Sequence, residues 1–113
     1  MSTVLITGAN RGIGLELARA YAKRGDRVLA CCREPSKASA LAALGDKVEV
    51  LALDVADAGS VAALAARLAG QPIDILINNA GIGGGGENQL FTRLNYDTFY
   101  EVILERSVHG GLD

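Results

Sequence analysis

The sequence predicts an α/β fold with a doubly wound parallel sheet. Short apolar runs recur on a cycle of roughly 25 residues, and the segments between them carry apolar residues at helical spacing. The runs show no polar alternation, which is typical of parallel strands that are buried on both faces and joined by right-handed crossovers. The chain has 113 residues, of which 50% are hydrophobic, and this suits one domain with a buried core.

The first predicted unit is a strand, a tight turn and a helix. Val4 to Thr7 form a short apolar run, and a loop that contains glycines follows. Apolar residues recur at helical spacing from Ile13, and Gly25 with Asp26 ends this helix. A second strand is predicted from Arg27 to Cys32.

The pattern then repeats. A short helix rich in alanine and leucine is predicted from Pro35 to near Gly45, and a third strand from Val48 to Leu53. Asp57 or Ser60 can cap the next helix, and Ile73 to Ile77 form a fourth strand. The predicted inner face of the helix after the third strand consists of Val61, Leu64, Ala65 and Leu68.

The pattern weakens after Asn79. Residues 81–86 include five glycines in six positions, and only residues 96–105 again look helical. Residues 106–113 are predicted to be a disordered tail. We therefore expect a single but incomplete domain over 1–113, with a sheet truncated after the fourth strand and one further helix.

Charge and hydropathy exclude several function classes. The net charge is −2 without a polybasic stripe, which argues against nucleic-acid or anionic-membrane partners. No apolar run approaches the ~20 residues that span a bilayer, and no charged leader precedes the first strand, so a cytoplasmic location is expected. Cys31 and Cys32 are adjacent in a predicted strand, where a disulfide would be strained, and two cysteines with His109 make no metal-ligand set.

The loop T-G-A-N-R-G-I-G, from Thr7 to Gly14, joins the first strand to the first helix. A doubly wound fold binds a dinucleotide at this place. Gly8 permits the sharp turn, Gly12 lets the backbone approach a phosphate, and Gly14 lets the helix pack on the sheet. The helix N-terminus would point free N–H groups at the pyrophosphate. The alternative is a tight glycine turn without a ligand.

A second pattern, Gly81, Gly83 and Gly86, also satisfies G-x-G-x-x-G. No amphipathic helix follows it at once, and Glu87 would set a carboxylate where a phosphate should lie. These glycines are interpreted as a flexible loop.

Preference between NAD and NADP is normally set just after the second strand. Here Arg33 follows the neutral Cys32, and Arg11 of the glycine loop could bring a second guanidinium to the same 2′-phosphate. This predicts NADP rather than NAD. Two alternatives stay open: both arginines are solvated surface charges, or Glu34 accepts a hydrogen bond from the ribose.

These residues resemble the short-chain dehydrogenase/reductase family, which has a Rossmann-like fold. Three motifs carry the resemblance, which covers about residues 3 to 104. Two segments of this chain, L-I-T-G-A-N-R-G-I-G and C-R-E-P-S-K, are also similar to those of a C-factor-like carbonyl reductase subgroup. The matched motif residues are Thr7, Gly8, Gly12 and Gly14, then Asp54-Val55, then Asn78-Asn79-Ala80-Gly81.

The resemblance implies a role for each motif. The residues from Gly12 to Gly14 would contact the pyrophosphate or its riboses, Asp54 and Val55 the adenine, and the residues from Asn79 to Gly81 the adenosine ribose, while Asn78 would tie neighbouring strands. Asp54 as a plain loop acid and the asparagines as turn formers are the alternatives. The predicted cofactor-binding residues are Thr7, Gly8, Arg11, Gly12, Ile13, Gly14, Arg33, Asp54, Val55, Asn79, Ala80 and Gly81.

The family's chemistry uses a Tyr, a Lys four residues later and an upstream Ser. The last lysine here is Lys47, so neither Tyr96 nor Tyr100 can be followed by the required lysine, and both are interpreted as packing residues. Ser107 and His109 are interpreted as parts of a surface tail. No catalytic residue is predicted. The chain is expected to be the NADP-binding half of a reductase of carbonyl or alcohol substrates, or alternatively a non-catalytic nucleotide-binding or C-factor-like signalling module.

A sheet in the order 3-2-1-4 has a further consequence. The fourth strand would be an edge with unpaired backbone groups, which predicts self-association through that edge or marginal stability.

Overall fold

The computed structural model describes residues 1–79. The predictions for Ala80, Gly81, the 81–86 loop, the 96–105 helix, Tyr96, Tyr100, Ser107, His109 and the 106–113 tail lie outside the described residues. In chain order the elements are β1 (Thr3–Thr7), α1 (Gly12–Arg24), β2 (Arg27–Cys32), a 3₁₀ turn (Pro35–Lys37), α2 (Ser39–Ala42), β3 (Val48–Ala52), α3 (Ala58–Arg67) and β4 (Ile75–Ile77).

The four strands form one parallel sheet in the order β3-β2-β1-β4. In the centre of the sheet, Val4 of β1 is in register with Val28 of β2 on one side and Ile75 of β4 on the other. The predicted fold class is confirmed: the sheet is parallel and Rossmann-like, with helices in the connections between its strands. Self-association through the outer edge of β4 stays a prediction.

The chain divides into two units, of which the first holds the sheet and comprises residues 1–53 and 73–79 of the described part. One side of the sheet packs with α1 and α2 in a single apolar cluster. Leu5, Leu29 and Cys31, which point to the opposite side, are also fully buried. Burial on both sides explains why these strands lack polar alternation in sequence.

The predicted end of α1 at Gly25 is confirmed. Gly25 has φ +95° in the left-handed region, and its N–H donates to the carbonyl of Ala22. Lys47 Nζ donates to the Gly25 carbonyl at 2.9 Å, so a cation also lies at the negative end of the helix. The following Asp26 is buried, and its carboxylate accepts from the N–H of Ser2 at 3.0 Å.

The predicted helix from Pro35 to Gly45 is interrupted. Pro35 opens a 3₁₀ turn that ends at Lys37, and α2 covers only Ser39–Ala42. Ala38 between them has φ −101° and ψ 53°, which lies outside the helical region. The break arises because the turn closes with i to i+3 bonds, in which the N–H of Ala38 donates to the carbonyl of Pro35.

The fourth strand is shorter than predicted and begins at Ile75. The preceding Asp74 still lies beside β1, where its carboxylate accepts from the N–H of Thr3 at 2.8 Å. The N–H of Asp74 donates to the carbonyl of Thr3 at 2.9 Å. A side chain therefore replaces one ladder partner at this end of the pair.

The second unit, in its described part, covers residues 54–72. Asp57 is the N-cap of α3, and its carboxylate accepts from the N–H groups of Gly59 and Ser60 at 2.9 and 3.4 Å. Ser60 lies inside the helix, and its hydroxyl accepts from the N–H of Asp54. The predicted inner face is buried at Val61, Leu64, Ala65 and Leu68.

Among residues 1–79, none of the helices has the length and apolar character needed to cross a bilayer.

Candidate functional site

Several predicted site residues meet at the carboxyl edge of the sheet. Because β1, β2 and β4 are parallel neighbours, the segments that follow them leave from the same edge. These segments are the loop that begins at Gly8, the turn at Arg33 and the asparagines 78 and 79. All of them belong to the first unit.

Thr7 links the end of β1 to the end of β4. Its buried hydroxyl donates to Oδ1 of Asn78 at 3.1 Å and accepts from the N–H of Asn79 at 2.9 Å. The Asn79 side chain in turn donates from Nδ2 to the Gly8 carbonyl at 3.0 Å. The predicted strand-tying role of Asn78 is confirmed, whereas the central position of the Thr7 hydroxyl was not predicted. The sequence signal that could have revealed it is a hydroxyl residue directly after the apolar run Val4 to Ile6.

The glycine loop is held close to the start of α1. Gly8 and Gly12 have φ values of +61° and +57°, so both occupy the left-handed region that favours glycine. A Cβ at Gly14 would lie 2.2 Å from the Gly8 carbonyl oxygen and 2.7 Å from Nδ2 of Asn79. Gly14 therefore allows α1 to lie against the loop itself and the asparagine, in addition to the sheet packing that its position predicts.

The N-terminus of α1 is accessible. Arg11 occupies the N-cap position with an extended backbone, and no side chain in residues 1–79 caps this helix. The first turn contains no acidic residue, Gly12 is exposed, and Ile13 is 66% exposed. A Cβ built on Gly12 would meet no atom of the described residues within 4 Å. The open backbone N–H groups and the helix dipole make this end suitable for an anion.

Basic side chains lie in both neighbouring loops. Arg11 precedes α1 and Arg33 follows β2, and both are exposed and form no ion pair with another residue in the described part of the chain. Glu34 instead pairs with Lys37, with Oε2 and Nζ 3.0 Å apart. Unpaired guanidinium groups beside an accessible helix start suit a phosphorylated ligand.

The two cysteines are free and buried in β2. Burial is the main cause that raises the pKa of the Cys31 thiol, and the neighbouring Cys32 and Glu49 add to it. Burial also raises the pKa of Cys32. Both thiols are therefore neutral at physiological pH and unsuited to nucleophilic chemistry. In residues 1–79 no group of three His, Cys, Asp or Glu side chains lies together as a metal site would need.

Asp54 and Val55 belong to the second unit. Asp54 is half-buried, and its Oδ1 accepts from the N–H of Ala56 at 3.0 Å, while Val55 is buried. Of the N-N-A-G motif only the two asparagines lie within the described residues. The structure thus brings together the glycine loop, Arg33 and Asn79 at one edge of the first unit, and describes Asp54 and Val55 separately.

Comparison with known proteins identifies relatives of similar fold and sequence. The chain is 42% identical over 85 residues to the probable NADP-dependent dehydrogenase of Dichelobacter nodosus, covering 73% of this chain and 80% of that protein. It is also 42% identical over 87 residues to retinol dehydrogenase 12 of Mus musculus, covering 70% of this chain but 28% of that protein.

Among solved structures, a carbonyl reductase from Pseudomonas aeruginosa PAO1 in complex with NADP superposes with a TM-score of 0.81 at 30% identity. The match covers 94% of this chain and 54% of the reductase, so the chain spans about half the length of that enzyme. The family model of the short chain dehydrogenases matches residues 2–110. The chain therefore belongs to the short-chain dehydrogenase/reductase family.

Proposed function

We propose that this chain is the NADP-binding half of an oxidoreductase whose complete form transfers hydride between NADPH and a carbonyl or alcohol substrate. The observation that carries the proposal is the N-terminus of α1, which no side chain of residues 1–79 caps, behind the loop that Thr7 and Asn79 hold in place. Fixed backbone donors at a strand-to-helix turn are what a pyrophosphate requires.

The residues present fit a dinucleotide. The exposed Gly12 offers backbone without a side chain in front of it, and no carboxylate in the first turn of α1 would repel a phosphate. Ile13, which is exposed, provides apolar surface beside this position for the cofactor. In the proposal Thr7, Gly8 and Gly14 shape the loop. The roles proposed for Asp54 and Val55 toward the adenine, and for Asn79, Ala80 and Gly81 toward the adenosine ribose, are those that the family motifs imply.

Preference for NADP rests on Arg33 and Arg11. Both are exposed at the same edge of the sheet and free of ion pairs with the residues described, so each is available to a 2′-phosphate. The relative from Dichelobacter nodosus is named as NADP-dependent, and the Pseudomonas aeruginosa reductase was solved with NADP. The two guanidinium groups would bind phosphate oxygens through paired donors.

Catalysis is proposed for the complete protein only. When bound, the cofactor supplies the hydride, whereas the Ser and Tyr-x-x-x-Lys residues of the family do not occur in these 113 residues, in which Lys47 is the last lysine. We expect this chain alone to bind cofactor without turnover. The same observation favours the second candidate, a non-catalytic nucleotide-binding or signalling module, which would bind the dinucleotide but gain no reductase activity in its complete form.

The first experiment is calorimetric titration of the folded chain with NADPH and then with NADH. Folding is checked beforehand by circular dichroism. Tight binding of NADPH with weak binding of NADH supports the proposal. A folded chain that binds neither dinucleotide contradicts it.

Variants of Arg33 test the NADP preference directly. Arg33→Asp should reverse the preference, because it replaces a phosphate donor by an acceptor for the ribose hydroxyl. Arg19→Asp is the matched control, since Arg19 is an exposed arginine within α1 that pairs with Glu16 and has no role in the proposed site. Unchanged NADPH affinity in the Arg33 variant would rule out the assigned role.

A further inference from the structure

The turn after β2 contains an ion pair that the proposed function does not use. Glu34 Oε2 and Lys37 Nζ are 3.0 Å apart, and both side chains are exposed, at 61% and 78%. The backbone reinforces the arrangement, since the N–H of Lys37 donates to the Glu34 carbonyl at 2.9 Å. In a 3₁₀ turn the side chains at positions i and i+3 lie one above the other, so the turn itself brings these two charges together.

The position of the Glu34 carboxylate matters because Arg33 is its neighbour. A free carboxylate after β2 can accept from a ribose 2′-hydroxyl, which favours NAD. It can also pair with the Arg33 guanidinium and repel a 2′-phosphate, which weakens NADP binding. Both effects shift the preference from NADP toward NAD, and both depend on whether the Glu34 carboxylate points toward Arg33 and the cofactor.

We infer that Lys37 is a positioning residue that sets the preference for NADP by holding the Glu34 carboxylate away from Arg33. The inference rests on the proposed function and adds regulation of its specificity. With the pair formed, Glu34 and Lys37 neutralise each other, whereas Arg33 forms no ion pair with any of residues 1–79. Lys37 thus acts through Glu34 and need not touch the cofactor.

A double-mutant cycle separates this indirect role from direct phosphate binding. The variants are Lys37→Met, Glu34→Gln and the two combined, with dissociation constants for NADPH and NADH measured on the full chain. Lys37→Met should lower the NADPH-to-NADH affinity ratio about two- to fivefold, the range that exposed ion pairs span. In the Glu34→Gln background the same change should have no further effect, because no carboxylate remains to be held.

Two more variants complete the experiment. Lys37→Arg should keep the parent ratio, because a guanidinium also pairs with a carboxylate. Lys23→Met removes an exposed lysine in the last turn of α1 and should leave the ratio unchanged. Equal unfolding midpoints in urea would exclude a purely structural cause.

The possible results separate a failure of the role inferred for Lys37 from a failure of the proposed function. A parent chain that binds NADPH, with equal losses from Lys37→Met in both backgrounds, overturns the inference alone and makes Lys37 a phosphate ligand. An unchanged ratio in Lys37→Met also overturns it. A folded parent chain that binds neither dinucleotide overturns the proposed function and the inference together.

Discussion

The Thr7 hydroxyl accepts a hydrogen bond of 2.9 Å from the N–H of Asn79, which lies 72 positions later in the chain. The same hydroxyl donates to the Asn78 side chain, so one buried group fixes the ends of two adjacent strands. Thr7→Val keeps the shape and removes both bonds. We expect a loss of about 1–2 kcal/mol in the free energy of unfolding, because a part-buried donor and acceptor lose their partner.

The amide of Asn79 provides a specific measurement for this prediction. Its hydrogen exchange, followed by NMR, should accelerate in Thr7→Val and stay slow in Thr7→Ser, which keeps the hydroxyl. NADPH affinity should fall in the valine variant, since the loop loses part of its support. Unaltered exchange at Asn79 in Thr7→Val would show that the hydroxyl does not hold this strand end.

Gly14 and Gly12 should respond differently to alanine. A Cβ at Gly14 would come within 2.2 Å of the Gly8 carbonyl oxygen, and backbone at that distance must move. We expect Gly14→Ala to cost about 1–3 kcal/mol, as overpacking does elsewhere, and to weaken NADPH binding by displacing the loop. Urea unfolding and calorimetry measure the two effects.

Gly12→Ala is the matched comparison. The added Cβ would meet no atom of residues 1–79 within 4 Å, but the Gly12 φ of +57° makes alanine unfavourable by about 1 kcal/mol. Its effect on NADPH binding should be large relative to this modest loss of stability, because the added methyl group would face the proposed phosphate position. Gly12→Ala with parent affinity would contradict that placement.

The parallel direction of the strands and most of the element boundaries could be predicted because they depend on local pattern. Apolar runs without alternation indicate parallel strands, and the glycine at position 25 marks a helix end through its own backbone freedom. The sequence predicts Asp57 or Ser60 as the N-cap of α3, and the structure assigns the cap to Asp57. At each of these positions the residue type alone indicates the local structure.

The parts that sequence did not predict depend on contacts between distant segments. The Asp74 carboxylate takes the place of a ladder partner for Thr3, which shortens β4, and the two are 71 positions apart. The link between Thr7 and Asn79 is equally remote in sequence. The break between the turn at Pro35 and α2 has a different cause, since it depends on a choice between i+3 and i+4 bonding that alanine-rich sequence leaves open.

The cap of α3 can be tested within the second unit. Asp57→Ala removes the acceptor for the N–H groups of Gly59 and Ser60, and should cost about 1 kcal/mol of helix stability. Asp57→Asn should cost only about 0.3 kcal/mol, because an amide oxygen caps a helix nearly as well as a carboxylate. Hydrogen exchange of the Gly59 and Ser60 amides measures the difference. Equal exchange in both variants would show that the carboxylate does not cap this helix.

The buried thiol of Cys31 should make stability decline at alkaline pH. Burial raises its pKa in the folded chain, whereas an unfolded cysteine has a pKa of about 8.5. Above that pH the unfolded state releases a proton that the folded state retains, so unfolding becomes more favourable by at most about 1.4 kcal/mol per pH unit, while the full stabilisation is present below it. Urea unfolding between about pH 7 and 9.5 measures the slope. Cys31→Ala should flatten this decline, and a slope identical to that of the parent would assign it to other groups.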